Sequence, residues 1–207
     1  MSHASRWAGL SPVERREGRR DLLVRAAYEL FGTGGESAVT VRSVCRAAKL
    51  NTRYFYENFT DVNEMLGVVY DEVAAQMIDT LSEAMAGQPD DRARLRAGIR
   101  AGLDFSSADP RRGRVLFTEG RTNPVLAARR AANQQQLLES VLPDGASQSP
   151  EARVAQLVGA SMYAGAMYEL AQQWLSGALG SDLDRVADTA VRLVTRPPRA
   201  PGARGAK

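Results

Sequence analysis

The side chains between residues 51 and 56 combine hydrogen-bond donors with aromatic rings. Arg53 can donate two parallel hydrogen bonds to the edge of a guanine, and Asn51 and Thr52 can reach bases or phosphate oxygens. The hydroxyls of Tyr54 and Tyr56 can also hold phosphate oxygens. These residue types therefore indicate nucleic-acid binding, provided that one short element presents them together.

Segment 40–59 is predicted to supply that element, because its spacing favours two short helices joined by a tight turn. Thr40 and Asn51 are good helix caps. At about 100° per residue, Phe55 and Phe59 of the second helix face the core. The apolar side of the first helix is formed by Val41, Val44, Cys45 and Ala48. The pattern predicts a helix-turn-helix whose second helix enters the DNA major groove; the alternative is an αα-hairpin with a solvated polar face.

Further helices are predicted on both sides of this motif. Ser11 and Glu14 have the spacing of a capping box around a proline, and Gly34 ends the helix that they open. Its apolar face consists of Leu22, Leu23, Ala26, Ala27, Leu30 and Phe31. Asp61 and Glu64 form a second predicted capping box. The fourth helix that they open has an apolar side made of Met65, Leu66, Val69, Val73, Met77 and Leu81.

Taken in order, four segments of the chain resemble the tetracycline-repressor (TetR) family of bacterial transcriptional regulators. They are RAAYELFGTGG at residues 25–35, TVRSVCRAAKLN at 40–51, RYFYENF at 53–59 and DVNEML at 61–66. The resemblance implies an all-helical homodimer that binds a palindromic double-stranded DNA operator through an N-terminal head. It also implies a C-terminal domain for a small-molecule effector, with repression that the effector relieves as the default action.

The resemblance places DNA contacts at the positions that match the family motif. Thr40 matches a capping threonine that touches phosphate, residues 51–54 match the start of the recognition helix, and Tyr56 matches an aromatic that bonds phosphate. Two residues depart from the pattern: Lys49 replaces a turn glycine, and Val62 replaces a common lysine. The predicted DNA-binding set is Thr40, Arg42, Lys49, Asn51, Thr52, Arg53, Tyr54, Tyr56 and Asn58.

Charge is divided unevenly along the chain. Residues 1–60 carry ten Lys and Arg against six Asp and Glu, residues 61–196 carry fourteen against eighteen, and residues 197–207 add three basic residues. A basic head on an acidic body is typical of a DNA-binding domain joined to a domain with another role. We therefore predict a helix-turn-helix domain over 1–60, an effector-binding and dimerisation domain over 61–196 and a disordered basic tail over 197–207, with residues 1–10 flexible.

The composition disfavours several other classes of protein. No run of eighteen apolar residues occurs and the first ten residues lack the features of a signal peptide, so a cytoplasmic protein outside the membrane is predicted. Cys45, the one cysteine, lies on the buried side of its helix and is interpreted as core packing rather than a redox sensor. Cys45 and His3, the one histidine, cannot form a zinc site or a histidine-based triad, so no metal, cofactor or catalysis is predicted. An enzyme that uses carboxylates and a helical adaptor without specific DNA binding are the alternatives.

Beyond the head, the sequence predicts helices only, and the fold class is therefore all-α. Capping residues precede prolines at Asp109, Asn123 and Ser149. The predicted helices lie near 61–86, 90–107, 110–119, 124–141, 150–177 and 182–196. The arginine clusters in the second half of the chain are interpreted as solvated faces, with pairing to an anionic effector as the alternative.

The last two predicted helices are candidates for a dimer interface. The helix near 150–177 is apolar around most of its circumference, and the helix near 182–196 carries an apolar stripe. In the family that the chain resembles, the last two long helices pair with their partner copies as a four-helix bundle; a core within one chain is the alternative. The predicted interface consists of Val158, Trp174, Leu183, Val186, Ala187, Ala190 and Val194.

An effector pocket is predicted inside the bundle that the preceding helices form with the helix near 150–177. Apolar walls with a few polar groups are typical of such sites, and the same side chains also suit core packing. The candidate lining residues are Phe105, Phe117, Met162, Tyr163, Met167 and Tyr168, with Glu169 and Gln173 as polar groups.

Overall fold

The computed structural model describes residue 9, residues 11–141 and residues 150–195, without the side chains of residues 134–141, 150, 156 and 160. The helices are α1 (Pro12–Gly34), α2 (Val41–Ala48), α3 (Thr52–Tyr56), α4 (Val62–Met85), α5 (Asp91–Ala108), α6 (Pro110–Gly113), α7 (Pro124–Val141), α8 (Pro150–Leu175) and α9 (Leu183–Val194). A 3-10 turn follows α1 at Glu36–Ala38, and α6 continues into a π-helical turn at Arg114–Thr118. The described residues contain no strand, and the all-α fold class is confirmed.

The predicted helix boundaries agree closely with the structure. The largest differences are at the end of α8, which stops at Leu175, and at the end of α9, which stops at Val194. Three predicted features lie outside the described residues: the cap Ser149, the tail 197–207 and the flexible start 1–10, of which only Gly9 is described. Among the helices of the described ranges, none has the length and apolar character needed to cross a bilayer.

Side-chain caps confirm the predicted starts of α1, α2 and α3. Ser11 Oγ accepts from the N–H of Glu14 at 3.2 Å, and the Glu14 carboxylate accepts from the N–H of Ser11 at 2.7 Å. Thr40 caps α2, and Asn51 Oδ1 accepts from the N–H of Arg53 at 2.9 Å. These bonds satisfy N–H groups that have no partner inside a helix. The local sequence therefore determines where each of these helices begins.

The start of α4 differs in one detail from the predicted capping box. Asp61 Oδ1 accepts from the N–H of Glu64 at 2.8 Å, as predicted. The Glu64 carboxylate instead accepts from the hydroxyl and the N–H of Thr60, at 2.7 and 2.6 Å. The reciprocal half of the box therefore lies one residue earlier, and these bonds lower the pKa of Glu64.

The turn between α2 and α3 adopts a left-handed conformation without glycine. Lys49 has φ 55° and ψ 43°, and among the described residues no other non-glycine residue has a positive φ. This conformation costs a residue with a Cβ on the order of 1 kcal/mol. The N–H of Leu50 donates to the carbonyl of Cys45 at 2.9 Å and closes the end of α2. The turn thus keeps the geometry of a glycine turn and leaves the Lys49 side chain exposed.

One apolar core joins the first three helices to the rest of the chain. We term α1–α3 the head and the later helices the body. The fully buried side chains of this core include Leu23, Phe31, Val44, Phe55, Met65, Leu66 and Leu126. Since they lie on both sides of the predicted domain boundary at residue 60, head and body pack directly on each other. A second cluster inside the body consists of Ile99, Leu103, Ala171, Ala187 and Val191.

Candidate nucleic-acid interface

Two buried aromatic rings fix α3 within the head. Phe55 and Phe59 are 0% and 3% exposed, and their ring centroids lie 5.7 Å apart. Asn58 Nδ2 donates to the carbonyl of Tyr54 at 2.7 Å and ties down the end of the helix. The predicted inward orientation of the two phenylalanines is confirmed, and the opposite side of α3 faces solvent.

Most of the predicted DNA-contacting side chains lie exposed in α2, in the turn or in α3. Those of Arg53 and Tyr56 are the clearest cases, because 83% of the Arg53 side chain and 64% of Tyr56 are exposed. Tyr54 and Asn58 are half-buried. The other exposed members of the set are Thr40, Arg42, Lys49, Asn51 and Thr52. The interface thus presents cationic, amide and hydroxyl donors, the groups that contact base edges and phosphates.

Arginines of α1, none of which belongs to the predicted DNA-binding set, join this surface. The Arg19 guanidinium carbon lies 4.6 Å from the centre of the Tyr54 ring, and its Nη2 lies 3.7 Å from the Glu57 carboxylate. Arg16 Nη2 donates to the Glu57 carbonyl at 2.7 Å. The basic run at residues 15–20 was visible in the sequence, but only the packing of α1 on α3 places it here. These arginines add positive charge beside the recognition helix.

The cysteine of α2 belongs to the core of the head. Cys45 is 3% exposed, and burial raises the pKa of its thiol. Redox-sensing cysteines are normally accessible and have a lowered pKa. The predicted packing role is therefore confirmed.

A carboxylate at the junction of α5 and α6 connects the body to the head. Asp109 Oδ2 accepts from Arg111 Nη2 at 2.8 Å and from the Tyr28 hydroxyl at 2.9 Å, while Oδ1 accepts from Arg111 Nε at 2.9 Å. Arg111 also pairs with Glu29 of α1. The Arg111 bonds hold the pKa of Asp109 at about 2, and burial, with the Asp109 bond, raises the pKa of Tyr28 to about 12. A bidentate arginine–carboxylate pair is among the strong hydrogen-bonded contacts of proteins.

A buried asparagine makes a second connection between head and body. Asn123, 5% exposed, donates from Nδ2 to Glu36 at 2.7 Å and to Asn63 at 2.9 Å. Its Oδ1 accepts from the N–H of Val125 at 3.0 Å, which confirms the predicted cap of α7. Its amide thus joins the 3-10 turn after α1, the start of α4 and the start of α7.

The arginine clusters of the body make specific contacts within the chain, so their interpretation as solvated faces was wrong. Arg111 binds Asp109 and Glu29 as described above. Arg129 pairs with Asp71 of α4, and Arg130 Nη2 donates to the Glu119 carbonyl at 2.6 Å. Two of these partners, Glu29 for Arg111 and Asp71 for Arg129, lie far away along the sequence, and the local charge pattern did not reveal them.

The predicted effector-pocket residues fall into separate groups. Phe117 and Tyr168 meet, with ring centroids 5.8 Å apart and the Tyr168 hydroxyl donating to the Phe117 carbonyl at 2.5 Å. Met167 packs with Phe117 on the second cluster of the body. Tyr163 is half-buried, and Phe105 belongs to the main core instead.

Three other predicted pocket residues point outward in this chain, so their placement in the pocket was wrong. Met162 is 71% exposed, and Gln173 Nε2 donates to Glu169 Oε1 at 2.7 Å on the exposed side of α8. Because α8 is apolar on most sides, its periodicity could not identify the inner face. Trp174, predicted at the dimer interface, packs on the second cluster, and its buried Nε1 has no hydrogen-bond partner among the described residues.

An exposed apolar stripe runs along α8. Its members Val154, Leu157, Val158 and Met162 are all more than half exposed, and so are Leu193 and Val194 of α9. Val158 and Val194 belong to the predicted dimer set, whereas Leu183, Val186 and Ala190 are half-buried against the second cluster. Ala187 is fully buried inside that cluster and has no surface to offer a partner, so its inclusion was wrong.

The short helix α3 follows a tight turn, is held by buried aromatic rings and exposes many hydrogen-bond donors. This arrangement is that of a helix-turn-helix DNA-binding protein. No profile of a known protein family matches the chain. The chain is 25% identical to the HTH-type transcriptional activator FasR of Mycolicibacterium smegmatis over 180 residues. The aligned region covers 86% of this chain and 82% of that protein.

Solved structures share this architecture. The fatty acid degradation regulator FadR from Bacillus halodurans matches with a TM-score of 0.69 at 16% identity, over 87% of this chain and 96% of that one. A TetR family transcription regulator from Marinobacter aquaeolei VT8 matches with a TM-score of 0.60 at 21% identity, over 86% and 96%. The transcriptional regulator FadR from Bacillus subtilis in complex with stearoyl-CoA matches with a TM-score of 0.65 at 16% identity, over 84% and 96%.

The chain has the fold of the TetR family of transcription regulators, and the resemblance that the sequence motifs carry is confirmed. It is a DNA-binding transcription regulator, and the proteins that it resembles are regulators rather than enzymes.

The contact between Asp109 and Arg111 predicts an acid-sensitive stability. The folded-state pKa of Asp109 is about 2, below the usual value of about 3.9, so its ionised form stabilises the fold above about pH 4 and this contribution is lost as the pH falls toward 2. We expect Asp109→Asn to lower the free energy of unfolding in urea at pH 7 by up to roughly 2 kcal/mol, and by much less at pH 2.

The matched control is Asp91→Asn, because the Asp91 side chain is 99% exposed. This variant should stay close to wild type at both pH values. If Asp109→Asn lowers the free energy of unfolding by the same amount at pH 7 and at pH 2, the role of the ionised carboxylate is contradicted.

Proposed function

We propose that the protein is a homodimeric transcriptional repressor that binds a palindromic operator through α3 and is released by a small-molecule effector. The observation that carries this proposal is the position of α3, whose buried Phe55 leaves the donors of Arg53 and Tyr56 exposed. Because both recognition helices of a dimer contact DNA, they must sit at a separation that matches successive major grooves, about 34–36 Å or a multiple.

The apolar stripe of α8 supports the dimer. Four exposed apolar side chains at Val154, Leu157, Val158 and Met162 lie on one side of a single helix, with further apolar groups near the end of α9. A contiguous apolar surface of this kind marks an interaction site, and a symmetric homodimer covers the same patch on both chains. In this proposal the two α8 helices pair across the two-fold axis.

The body is proposed to bind the effector. The solved FadR structure from Bacillus subtilis contains stearoyl-CoA, which makes a long-chain acyl-CoA our first candidate for this chain. Half-buried Phe117, Met167 and Tyr168 are apolar and aromatic groups suited to such a ligand, and the Trp174 N–H, which has no partner among the described residues, is a polar one.

Effector binding is proposed to shift a two-state equilibrium through the junction between body and head. Helix α4 joins them along the chain, and Asp109 with Arg111 adds a direct bond to α1. An effector that prefers the arrangement incompatible with DNA reduces operator binding by its difference in affinity for the two states. Release from the operator would relieve repression. Activation of transcription is a second candidate, because the similar protein FasR is an activator.

Binding to DNA is expected to weaken steeply with salt. Each phosphate contact releases counterions and contributes about −0.9 to the log–log slope of affinity against salt concentration. With a duplex taken from upstream of the protein's own coding sequence, Arg16→Ala should make this slope shallower by about 1 for each phosphate contact that it removes, because Arg16 adds charge beside α3.

Fluorescence anisotropy from 50 to 300 mM salt measures this slope. The control Arg94→Ala removes a half-exposed arginine of the body and should leave the slope unchanged. A wild-type affinity that does not depend on salt would count against binding through this surface.

The dimer proposal predicts the effect of a charge within the α8 stripe. Met162→Glu should shift the protein from dimer to monomer, because two carboxylates would meet near the symmetry axis without water. Val13→Glu, at an apolar residue of α1 that is 64% exposed, is the control and should leave the mass unchanged. Analytical ultracentrifugation reports the mass. If Met162→Glu remains a dimer, the interface does not include the α8 stripe.

The effector proposal predicts stabilisation by ligand. Stearoyl-CoA at a hundredfold excess over its dissociation constant should add about 2.7 kcal/mol of stability and raise the melting temperature, while coenzyme A alone should not. Trp174→Phe, which keeps an aromatic ring and removes the indole N–H, should reduce the shift. A thermal-shift assay with no response to stearoyl-CoA would reject this ligand class.

A further inference from the structure

Glu57 is an acidic residue at the C-terminal end of the recognition helix. Between residues 37 and 60 it is the one acidic residue, among four basic residues in α2, the turn and α3. A carboxylate on a surface that meets phosphates reduces the electrostatic attraction for DNA. Its presence there therefore calls for a compensating role.

The contacts of Glu57 tie the exposed arginine of α3 to the head. Glu57 Oε1 accepts from Arg53 Nε at 2.9 Å, four residues away on the same side of the helix. Glu57 is itself held on α1, because its carbonyl accepts from Arg16 Nη2 at 2.7 Å and its Oε2 lies 3.7 Å from Arg19 Nη2. A carboxylate that is two-thirds buried thus holds a guanidinium that is 83% exposed.

This geometry leaves a defined pair of donors for a base. Arginine has five N–H groups in a rigid planar fork. With Nε bonded to Glu57, the two terminal nitrogens of Arg53 stay available side by side, the arrangement that bonds guanine O6 and N7. A long side chain without such a contact would sample many rotamers and would bind phosphates and bases alike.

We propose that Glu57 is a positioning residue for sequence recognition: it orients Arg53 for guanine and lowers non-specific attraction to phosphate. This inference rests on the proposed DNA-binding function. Glu57 then raises the specificity of the protein for its site and lowers its affinity for DNA in general.

The test compares two affinities for each variant of the full-length protein. One duplex carries the site recovered by selection with wild type, and the others carry single base changes or random sequence. Glu57→Ala should bind random duplex about two- to fivefold more tightly at low salt, because a negative charge is removed. Its discrimination at the guanine bonded by Arg53 should fall by about five- to 150-fold, toward the level of Arg53→Ala.

Two further variants separate positioning from folding. Glu57→Gln keeps an oxygen acceptor for Arg53 Nε without the charge, so it should retain part of the discrimination. In an Arg53→Ala background, Glu57→Ala should cause no further loss of discrimination, since the group that it positions is gone. Melting temperatures verify that each variant is folded. If Glu57→Ala does not fold, the comparison is made with Glu57→Gln.

The possible failures can be distinguished. A wild-type protein that shows no base preference would overturn the DNA-binding function, and this inference with it. A selective wild type whose discrimination survives Glu57→Ala, or a Glu57→Ala variant that weakens on all sequences by the same factor, would overturn the positioning role alone.

Discussion

The burial of Phe55 and Phe59 is the constraint on which the DNA-binding surface depends. Helix α3 has only five residues, and a helix of this length is not stable in water by itself. Two rings inserted in the core of the head hold it, with a left-handed Lys49 on one side and the Asn58 bond on the other. The direction of every exposed donor of α3 follows from this packing.

The same core makes the head and the body mechanically dependent on each other. Gly32 of α1 packs so closely on the body that an added Cβ would lie 2.4 Å from the Cβ of Arg111. With the bonds of Asp109 and Asn123, this contact links the segment after α5 to α1 and, through Asn63, to α4. Since α1 also carries Arg16 and Arg19 beside α3, the proposed effector signal has a short path to the recognition helix.

Features that depend on neighbours in sequence were predictable. Ser11, Thr40 and Asn51 cap helices at the predicted positions, and the spacing of Phe55 and Phe59 gave their orientation. Such caps and periodicities need no knowledge of the rest of the fold. The segments that resemble the TetR family contain several of these caps and spacings.

Features that depend on distant partners were not predictable. Arg111 was interpreted as solvated because its partner Glu29 lies 82 residues away, and Arg16 was missed because only packing brings it to Glu57. In α8, apolar residues on most sides made Met162 look like a pocket residue. In α9, a single stripe suited both a partner chain and the inner core, and Ala187 occupies the core.

Two copies of the head are proposed to bind one DNA site through their α3 helices. The decisive experiment is a selection of wild-type protein against a random duplex library. We expect enrichment of an inverted repeat whose half-site centres lie about 10–10.5 base pairs apart, or a multiple of that distance. Recovery of an unsymmetrical single site, or no enrichment at salt concentrations low enough for binding, would contradict it.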